Sequence, residues 1–383
     1  MNKQNLNIGL FFDVTFPAPS DNNRVIVAPM TMLELLAKRL TKKGHNVFFL
    51  VSKDSKSTSY YSRTKQIKSI SNNKYLNNLL KSGNRFNRVR LVQMNNQIAL
   101  ADFLKNNNKL DILNVHNANF VAPILMAQKK LPATIITMHD SLKNKEDIEY
   151  HQYLINSIEQ TDKNINFSFV GKNQSKKLKT KNKHVVYNGI NISEYPFNKS
   201  SNNCLSFSGR MIQEKGPDIA LRVAQKTNNP IKLAGSIPKT PEHKKFWESQ
   251  AKPLLNKQRK YMGLLPHNKI NKLFKKSKAL LFPIQWKEAF GLVMIEAMAC
   301  GTPVIAFNKG AVPEVIKHGK TGFIVKNEKE MIKAVKKIYA MPKNKYTAMR
   351  YACRKHVEDN FSVEKMVDNY EKMYYNILKN QKK

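Results

Sequence analysis

The chain has 383 residues, 41% of them hydrophobic, and a formal net charge of +39. That length accommodates two domains of ordinary size, each with ample core. A mean hydropathy of −0.51, three scattered cysteines (Cys204, Cys300, Cys353) without a CxxC pair, and no apolar run near the ~18 residues of a spanning helix exclude a membrane-spanning helix, a disulfide scaffold and a Cys-rich zinc site. The apolar patch Ile8 to Phe12 ends at Asp13 and is too short for a signal-peptide core. The expected location is the cytoplasm.

In chain order, LNIGLFFDV (6 to 14) reads as a buried strand. Residues 25 to 43 follow with Met32, Leu35, Leu36 and Leu40 at helical spacing, ending at Gly44, a C-cap residue. NVFFLV (46 to 51) is the next strand. Residues 52 to 108 carry no assignment, much of that stretch being rich in Asn, Lys and Ser. DILNVH (111 to 116), ATIITMH (133 to 139), NFSFV (166 to 170) and HVVY (184 to 187) are short β-branched runs separated by helical segments. After the polar stretch 191 to 203 the pattern restarts: LSFSG, a helix over 216 to 228, IKLAG, a helix near 243 to 255, KYMG, a helix over 266 to 276, ALLFPI, a helix over 291 to 300, PVIAF, a short helix near 311 to 317, and GFIV. The rest is helical. Asn327 with Glu330 forms a capping-box pattern, and Ser362 is placed to cap a last helix beginning near Val363.

This alternation predicts an α/β chain of two doubly wound, Rossmann-like domains, each a parallel sheet covered on both faces. The expected division is residues 1–192, a linker at 193–203, residues 204–360, and a C-terminal helix, 361–383, that packs back toward the first domain. Such sheets bind ligands at the carboxyl ends of their strands. Two of them facing each other make a cleft suited to bringing two substrates together.

The charge has two readings. One is a polyanionic partner; the other is A/T-rich codon usage, which enriches Lys and Asn together and spreads lysines over the whole chain. No zinc-finger or RNP-like pattern supports nucleic acid as the partner. KNQSKKLKTKNK (172 to 183) and RFNRVR (85 to 90) are local concentrations. At about 1 kcal/mol per Lys near an anionic bilayer, the first is a candidate for peripheral attachment to a membrane surface.

There is no G-x-G-x-x-G after a strand and no P-loop, which argues against a dehydrogenase or a P-loop kinase. GRMIQEKGPDIA (209 to 220) says more. Gly209 leaves a strand, Arg210 and Lys215 follow, and Gly216-Pro217 opens a helix. Two cations at a strand end suit a diphosphate, Arg as a fork and Lys as a point charge; the alternative is a solvated turn.

KEAFGLVMIEAMACGTPVIAF (287 to 307) sets Glu288 and Glu296 eight positions apart around an apolar run. Eight helical residues span ~12 Å, beyond the ~5 to 9.5 Å separations of glycosidase carboxyl pairs. The pair reads better as two contacts along one extended ligand, each carboxylate accepting two hydrogen bonds from a vicinal diol. Otherwise Glu288 is a surface loop acid and Glu296 a solvent-facing helix residue. A helix beginning at Gly291 also offers the Phe290, Gly291 and Leu292 amides to an anion.

These motifs together make the chain recognisable. SFSGRMIQEKGPDIA, IKLAG, YMGLLP, ALLFPI, EAFGLVMIEAMACGTPVIA and GAVPEVIKHGKTGFIV, preceded by VVYNGI (185 to 190), stand in the order and spacing of the family-4 retaining glycosyltransferases of GT-B architecture (glycosyl transferases group 1), which the chain resembles. In the N-terminal half the likeness is looser: KKGHNVFFL, DILNVH and TMHD (137 to 140).

The resemblance implies an acceptor-side N-terminal domain and a C-terminal domain that binds a nucleotide sugar. It implies that Arg210 and Lys215 neutralise the donor diphosphate after Gly209. Glu288 and the Phe290–Gly291–Leu292 backbone would meet the transferred sugar and phosphate. Glu296 would hold the ribose, Gly263 and Leu264 would line the base pocket, and His139, with Asp140 beside it, would stand by the sugar.

The expected activity is transfer of a sugar from a UDP-sugar to an unspecified acceptor, in cell-surface glycan or glycolipid synthesis, without cofactor or metal. No Asp-x-Asp stands where a donor metal would be needed. The loop FPAPSDNNRV (16 to 25) departs from the family in having no glycine, although Asn22 and Asn23 tolerate left-handed angles. The alternatives are a GT-B epimerase or phosphorolytic enzyme, and a decayed nucleotide-sugar-binding protein.

Overall fold

The computed structural model describes residues 4–12, 28–52, 66–67, 85–106, 109–116, 124–125, 127–128, 130–161 and 164–381. The glycine-free loop 16–25 lies outside the described residues.

Two parallel sheets are present. The first has seven strands in the order β3-β2-β1-β4-β5-β6-β7: β1 (Asn7–Phe12), β2 (Asn46–Ser52), β3 (Gln66–Ile67), β4 (Ile112–His116), β5 (Ala133–Met138), β6 (Asn166–Phe169) and β7 (Lys183–Val185). The second has six in the order β10-β9-β8-β11-β12-β13: β8 (Leu205–Ser208), β9 (Ile231–Ala234), β10 (Arg259–Tyr261), β11 (Leu280–Phe282), β12 (Val304–Phe307) and β13 (Gly322–Val325). Each order reverses about a central pair, β1 with β4 and β8 with β11. That reversal is where such sheets open a crevice at their carboxyl edge.

Side-chain alternation divides the first domain's core into two layers. Ile8, Leu10 and Phe12 join α1 (Ala28–Lys42) on one face. Phe11, Leu113 and Val115 join α2 (Arg85–Asn106) and α3 (Lys145–Thr161) on the other. α2 falls in the stretch left unassigned from sequence: its Asn-rich composition and weak apolar stripe give little helical period.

The face holding α1 is completed by the last helix of the chain. After α4 (Lys172–Ser175), α5 (Pro217–Lys226), α6 (Pro241–Phe246), α7 (His267–Lys276), α8 (Leu292–Ala299), α9 (Val312–Val315) and α10 (Glu328–Tyr339), two long helices follow, α11 (Lys343–Phe361) and α12 (Val363–Gln381). α12 buries Val363, Met366, Val367, Tyr370, Met373, Tyr374 and Ile377, a three-and-four-residue stripe, in the first domain's core. Its polar groups are matched there: Asn114 Nδ2 donates to the Tyr374 hydroxyl at 2.8 Å, and Glu371 accepts from Lys43 at 3.1 Å and pairs with His45 at 3.1 Å.

The break between α11 and α12 falls at Ser362. The Ile190 N–H donates to the Phe361 carbonyl and the Val363 N–H to the Ile190 carbonyl, both at 2.9 Å, so the two chain crossings between domains are bonded to each other. Ser362 Oγ accepts the Lys365 N–H at 3.3 Å and Asn327 Oδ1 accepts the Glu330 N–H at 3.0 Å, the two caps read from sequence. The region expected as one helix near 243 to 255 is instead α6 followed by a wide turn over 247–251 and a 3₁₀ turn over 252–254. Pro253 has no N–H to continue the ladder.

Candidate active site

The residues singled out in the second domain all follow strand carboxyl ends: Gly209 and Arg210 after β8, Gly263 and Leu264 after β10, Glu288 after β11. His139 and Asp140 follow β5 of the first domain. The structure brings the two edges into contact at Glu288.

Glu288 Oε2 accepts from the Lys215 ammonium at 2.6 Å and from the Trp286 indole N–H at 3.0 Å. Its Oε1 accepts from the Ser141 hydroxyl of the other domain at 3.3 Å, and the Ser141 oxygen accepts the Ala289 N–H at 3.2 Å. Burial alone would raise this carboxyl's pKa. The Lys215 charge and the hydrogen bonds from Lys215, Trp286 and Ser141 outweigh it and hold the group below the usual range, so it is an anion at neutral pH.

Its backbone is fixed as well. The Ala311 N–H donates to the Glu288 carbonyl at 2.9 Å, and Gly310 (φ +61°) passes so close that a Cβ there would stand 2.2 Å from that oxygen. Only glycine fits.

Trp286 is ringed by cations. Lys215 Nζ lies 4.6 Å, Lys143 Nζ 4.9 Å and Arg210 Cζ 5.7 Å from its ring centroid. Contacts of this length hold extended side chains in place, and they leave the cluster more positive than Glu288 can neutralise. Trp286, Lys143 and Ser141 were not among the residues singled out from sequence; closeness to Glu288 and His139 in the chain was the available signal.

Phe290 differs from the others, since its ring is buried against Tyr187 and Phe361 and only its backbone is free to serve a ligand. Gly291 (φ +85°) caps α8, and the first amides of that helix have no intrahelical acceptor. Leu264 and its neighbour Met262 are 45% and 41% exposed, an apolar lip on either side of Gly263.

Glu296 lies on α8, half-buried between Ile295 and Ala297, which are fully buried. Burial raises its pKa to about 7, against the pull of a hydrogen bond from the Tyr195 hydroxyl. That hydroxyl accepts from His267 Nε2 at 2.9 Å. Tyr195 comes from the linker, where an aromatic in a polar stretch gives little hint of such a contact.

Asp140 Oδ2 stands 3.7 Å from His151 Nε2, and its carbonyl accepts from Gln174 at 2.8 Å. Burial would lower the His151 pKa, but Asp140 and the Asp147 carbonyl raise it above the ordinary value.

The basic segment 172–183 is partly committed to the domain contact. Glu314 accepts the Lys172 N–H at 2.7 Å, the Asn173 N–H at 2.6 Å and the Tyr187 hydroxyl at 2.9 Å, while Lys183 Nζ donates to the Ser175 and Leu178 carbonyls. Among the described residues no cluster of His, Cys, Asp and Glu is placed to hold a metal, and no helix is long and apolar enough to cross a membrane.

The family model for glycosyl transferases group 1 matches residues 190–356, the segment that carries Arg210, Lys215, Glu288 and Glu296. Over that segment the chain is similar to the glycosyl transferases group 1 family. The chain is 38% identical over 104 residues to N-acetyl-alpha-D-glucosaminyl L-malate synthase of Bacillus anthracis, covering 27% of each protein. It is 29% identical over 301 residues to an uncharacterized 41.2 kDa protein in the cps region of Klebsiella pneumoniae, covering 70% of this chain and 79% of that one. Thus it spans about a quarter of the first relative's length and most of the second's. In three dimensions it is similar to HepE of Anabaena, solved in complex with UDP-glucose: TM-score 0.71, 14% identity, 96% of this chain and 99% of that one. The shared fold is GT-B, two Rossmann-like domains facing each other.

Proposed function

We propose that this protein is a retaining glycosyltransferase that moves a sugar from a nucleoside-diphosphate sugar, a UDP-sugar, to an acceptor hydroxyl without a metal. The observation that carries the reading is the ionised Glu288, held by Lys215 and Trp286 of one domain and Ser141 of the other, at the meeting of two strand edges. The UDP-glucose complex of HepE, which shares the fold, supports the choice of donor class.

In this reading Arg210, Lys215 and the amides opening α8 neutralise the diphosphate, the role a cation plays elsewhere. Glu288 accepts from the transferred sugar's hydroxyls, and Glu296, further along α8, from the ribose diol. The base lies over the Met262–Gly263–Leu264 lip, and His139 meets the sugar from the other side. As the bond to the anomeric carbon breaks, the leaving diphosphate oxygen gains charge beside Arg210 and Lys215. It is also the group placed to take the acceptor proton from the same face, so no side chain is assigned as general base. The test is stereochemical. Incubation with UDP-α-glucose and other UDP-α-sugars, followed by proton NMR, is expected to show released sugar appearing first as the α-anomer; first appearance of the β-anomer would refute retention.

The pKa of Glu296 makes a second expected result. A ribose diol donates to the carboxylate, so ligand binding favours the ionised form. UDP affinity is expected to be level above about pH 7.5 and to fall toward tenfold per pH unit below about pH 6.5, with Glu296→Gln weak and flat throughout. The sign for folding is opposite. A raised folded-state pKa contributes stability in full below the unfolded value near 4.5, and this is lost as pH rises through about 7. Calorimetric titration across pH 5.5–8.5 checks the binding profile; an affinity independent of pH in the wild type would remove Glu296 from the diol.

A further inference from the structure

The carboxyl ends of β4 and β5 bring two imidazoles together. His116 Nδ1 and His139 Nε2 are 2.8 Å apart, with ring centroids 5.0 Å apart and planes inclined by 26°. His116 is 1% exposed and is backed by Tyr370 of α12 at 6.1 Å between centroids. Burial lowers both pKa values, that of His139 to about 4, with the neighbouring ring a second cause for His116. Both rings are therefore neutral near pH 7, each with one N–H.

A contact of 2.8 Å between two ring nitrogens holds one proton, and two arrangements supply it. If His139 donates from Nε2, His116 accepts at Nδ1 and carries its own proton on Nε2. That Nε2 is buried and has no hydrogen-bond partner, so this arrangement strands an N–H in the core. If instead His116 donates from Nδ1, its Nε2 is a bare lone pair, and His139 carries its proton on Nδ1. Buried N–H groups without an acceptor are the rarer of the two defects, so the second arrangement is favoured. Among the described residues His139 makes no hydrogen bond besides the one to His116, which leaves its Nδ1–H for a ligand.

We propose that His116 is a positioning residue that holds His139 in the Nδ1–H tautomer, making it an uncharged donor to a hydroxyl oxygen of the donor sugar. This rests on the reading above that His139 stands by the sugar. It differs from a plain packing role for His116 because it assigns the proton.

The test begins with the wild-type full chain labelled with 15N-histidine, the His139 signals being identified by their loss in His139→Gln. A protonated-type shift at Nδ1 and an unprotonated-type shift at Nε2 are expected; the reverse pattern overturns the proposal whatever the variants do. His116→Asn keeps an N–H able to donate to His139 Nε2, whereas His116→Phe keeps only the ring.

In His116→Phe, His139 is expected to become a tautomer mixture, and kcat/KM for UDP-glucose hydrolysis to fall about tenfold, the scale of one hydrogen bond. His116→Asn is expected to restore most of both. Equal loss in the two folded variants, or no change of tautomer in His116→Phe, overturns it. UDP titration separates the two levels: variants that bind UDP like wild type retain the donor site, while a wild type that neither binds UDP nor hydrolyses a donor sinks the functional reading and leaves the tautomer result standing.

Discussion

Replacing Glu288 with Gln is expected to lower turnover of an accepted nucleotide sugar by about 10² to 10³-fold while leaving UDP affinity nearly unchanged. The amide is isosteric and can still accept from Trp286 and Lys215, so the loop keeps its shape. What it loses is the negative charge that Lys215 and two neutral donors hold in place. A carboxylate aimed at the sugar strengthens its hydrogen bonds as positive charge develops at the anomeric centre, and an amide oxygen does so weakly. Lys215, released from its 2.6 Å ion pair, remains available to the diphosphate, which is why nucleotide binding is expected to survive. Steady-state hydrolysis of UDP-sugars beside a UDP titration separates the two effects. Turnover within about twofold of wild type, far short of the electrostatic effect expected, would mean that Glu288 is a structural brace.

The second large effect concerns stability. Arg350 of α11 is completely buried and, among the described residues, has no carboxylate partner. Its guanidinium donates to the Asn198 carbonyl at 2.8 Å, to the Ser277 and Lys275 carbonyls at 2.9 Å each, to the Tyr346 hydroxyl at 3.1 Å and to the Cys300 carbonyl at 3.2 Å. These acceptors include the ends of α7 and α8, where carbonyls lack intrahelical donors and where a cation is favoured by the helix dipole. Arg350→Met keeps much of the bulk and removes every donor. The stranded carbonyls are expected to cost about 3 to 5 kcal/mol, the range seen when one side of a buried polar set is deleted. Urea unfolding should show an earlier midpoint with little change in slope. A loss below about 1 kcal/mol would mean that water replaces the guanidinium at little cost.

The second domain was legible because its strands end in turns with fixed residue demands. Gly209, Gly263, Glu288, Gly291 and Glu296 fall at strand ends or on α8 as their spacing predicts. Strand and helix periods there are short and clean. In the first domain the signal is weaker: α2 shows little amphipathic period, and the glycine-free loop 16–25 lies outside the described residues. The missed residues share one physical reason. Ser141, Lys143, Tyr195 and His116 gain their meaning from partners far away in sequence, as does Trp286 in its contacts with Lys143, Arg210 and Lys215 though not in its bond to Glu288, and a serine or a tyrosine in a loop has no spacing that announces them. His116 comes nearest to an exception, because it ends a strand just as His139 follows one, and adjacent parallel strands bring such positions together.

The roles of α12 and of the crossing at Ile190 and Ser362 follow from the same topology. A helix that leaves the second domain and fills the first domain's apolar face joins the two sheets without a second long linker. Its Tyr370 and Tyr374 reach His116 and Asn114 of β4, so the core of one domain is completed by the tail of the other.

The most direct test of the donor site is calorimetric titration with UDP, GDP and ADP at pH 7.5, on the wild type and on Glu296→Ala. Binding selective for UDP, lost or much weakened in the variant, is the expected result, since Glu296 is the half-buried carboxylate that a ribose diol would satisfy. Absence of nucleotide binding by folded wild-type protein, or UDP binding that survives Glu296→Ala unchanged, would contradict it.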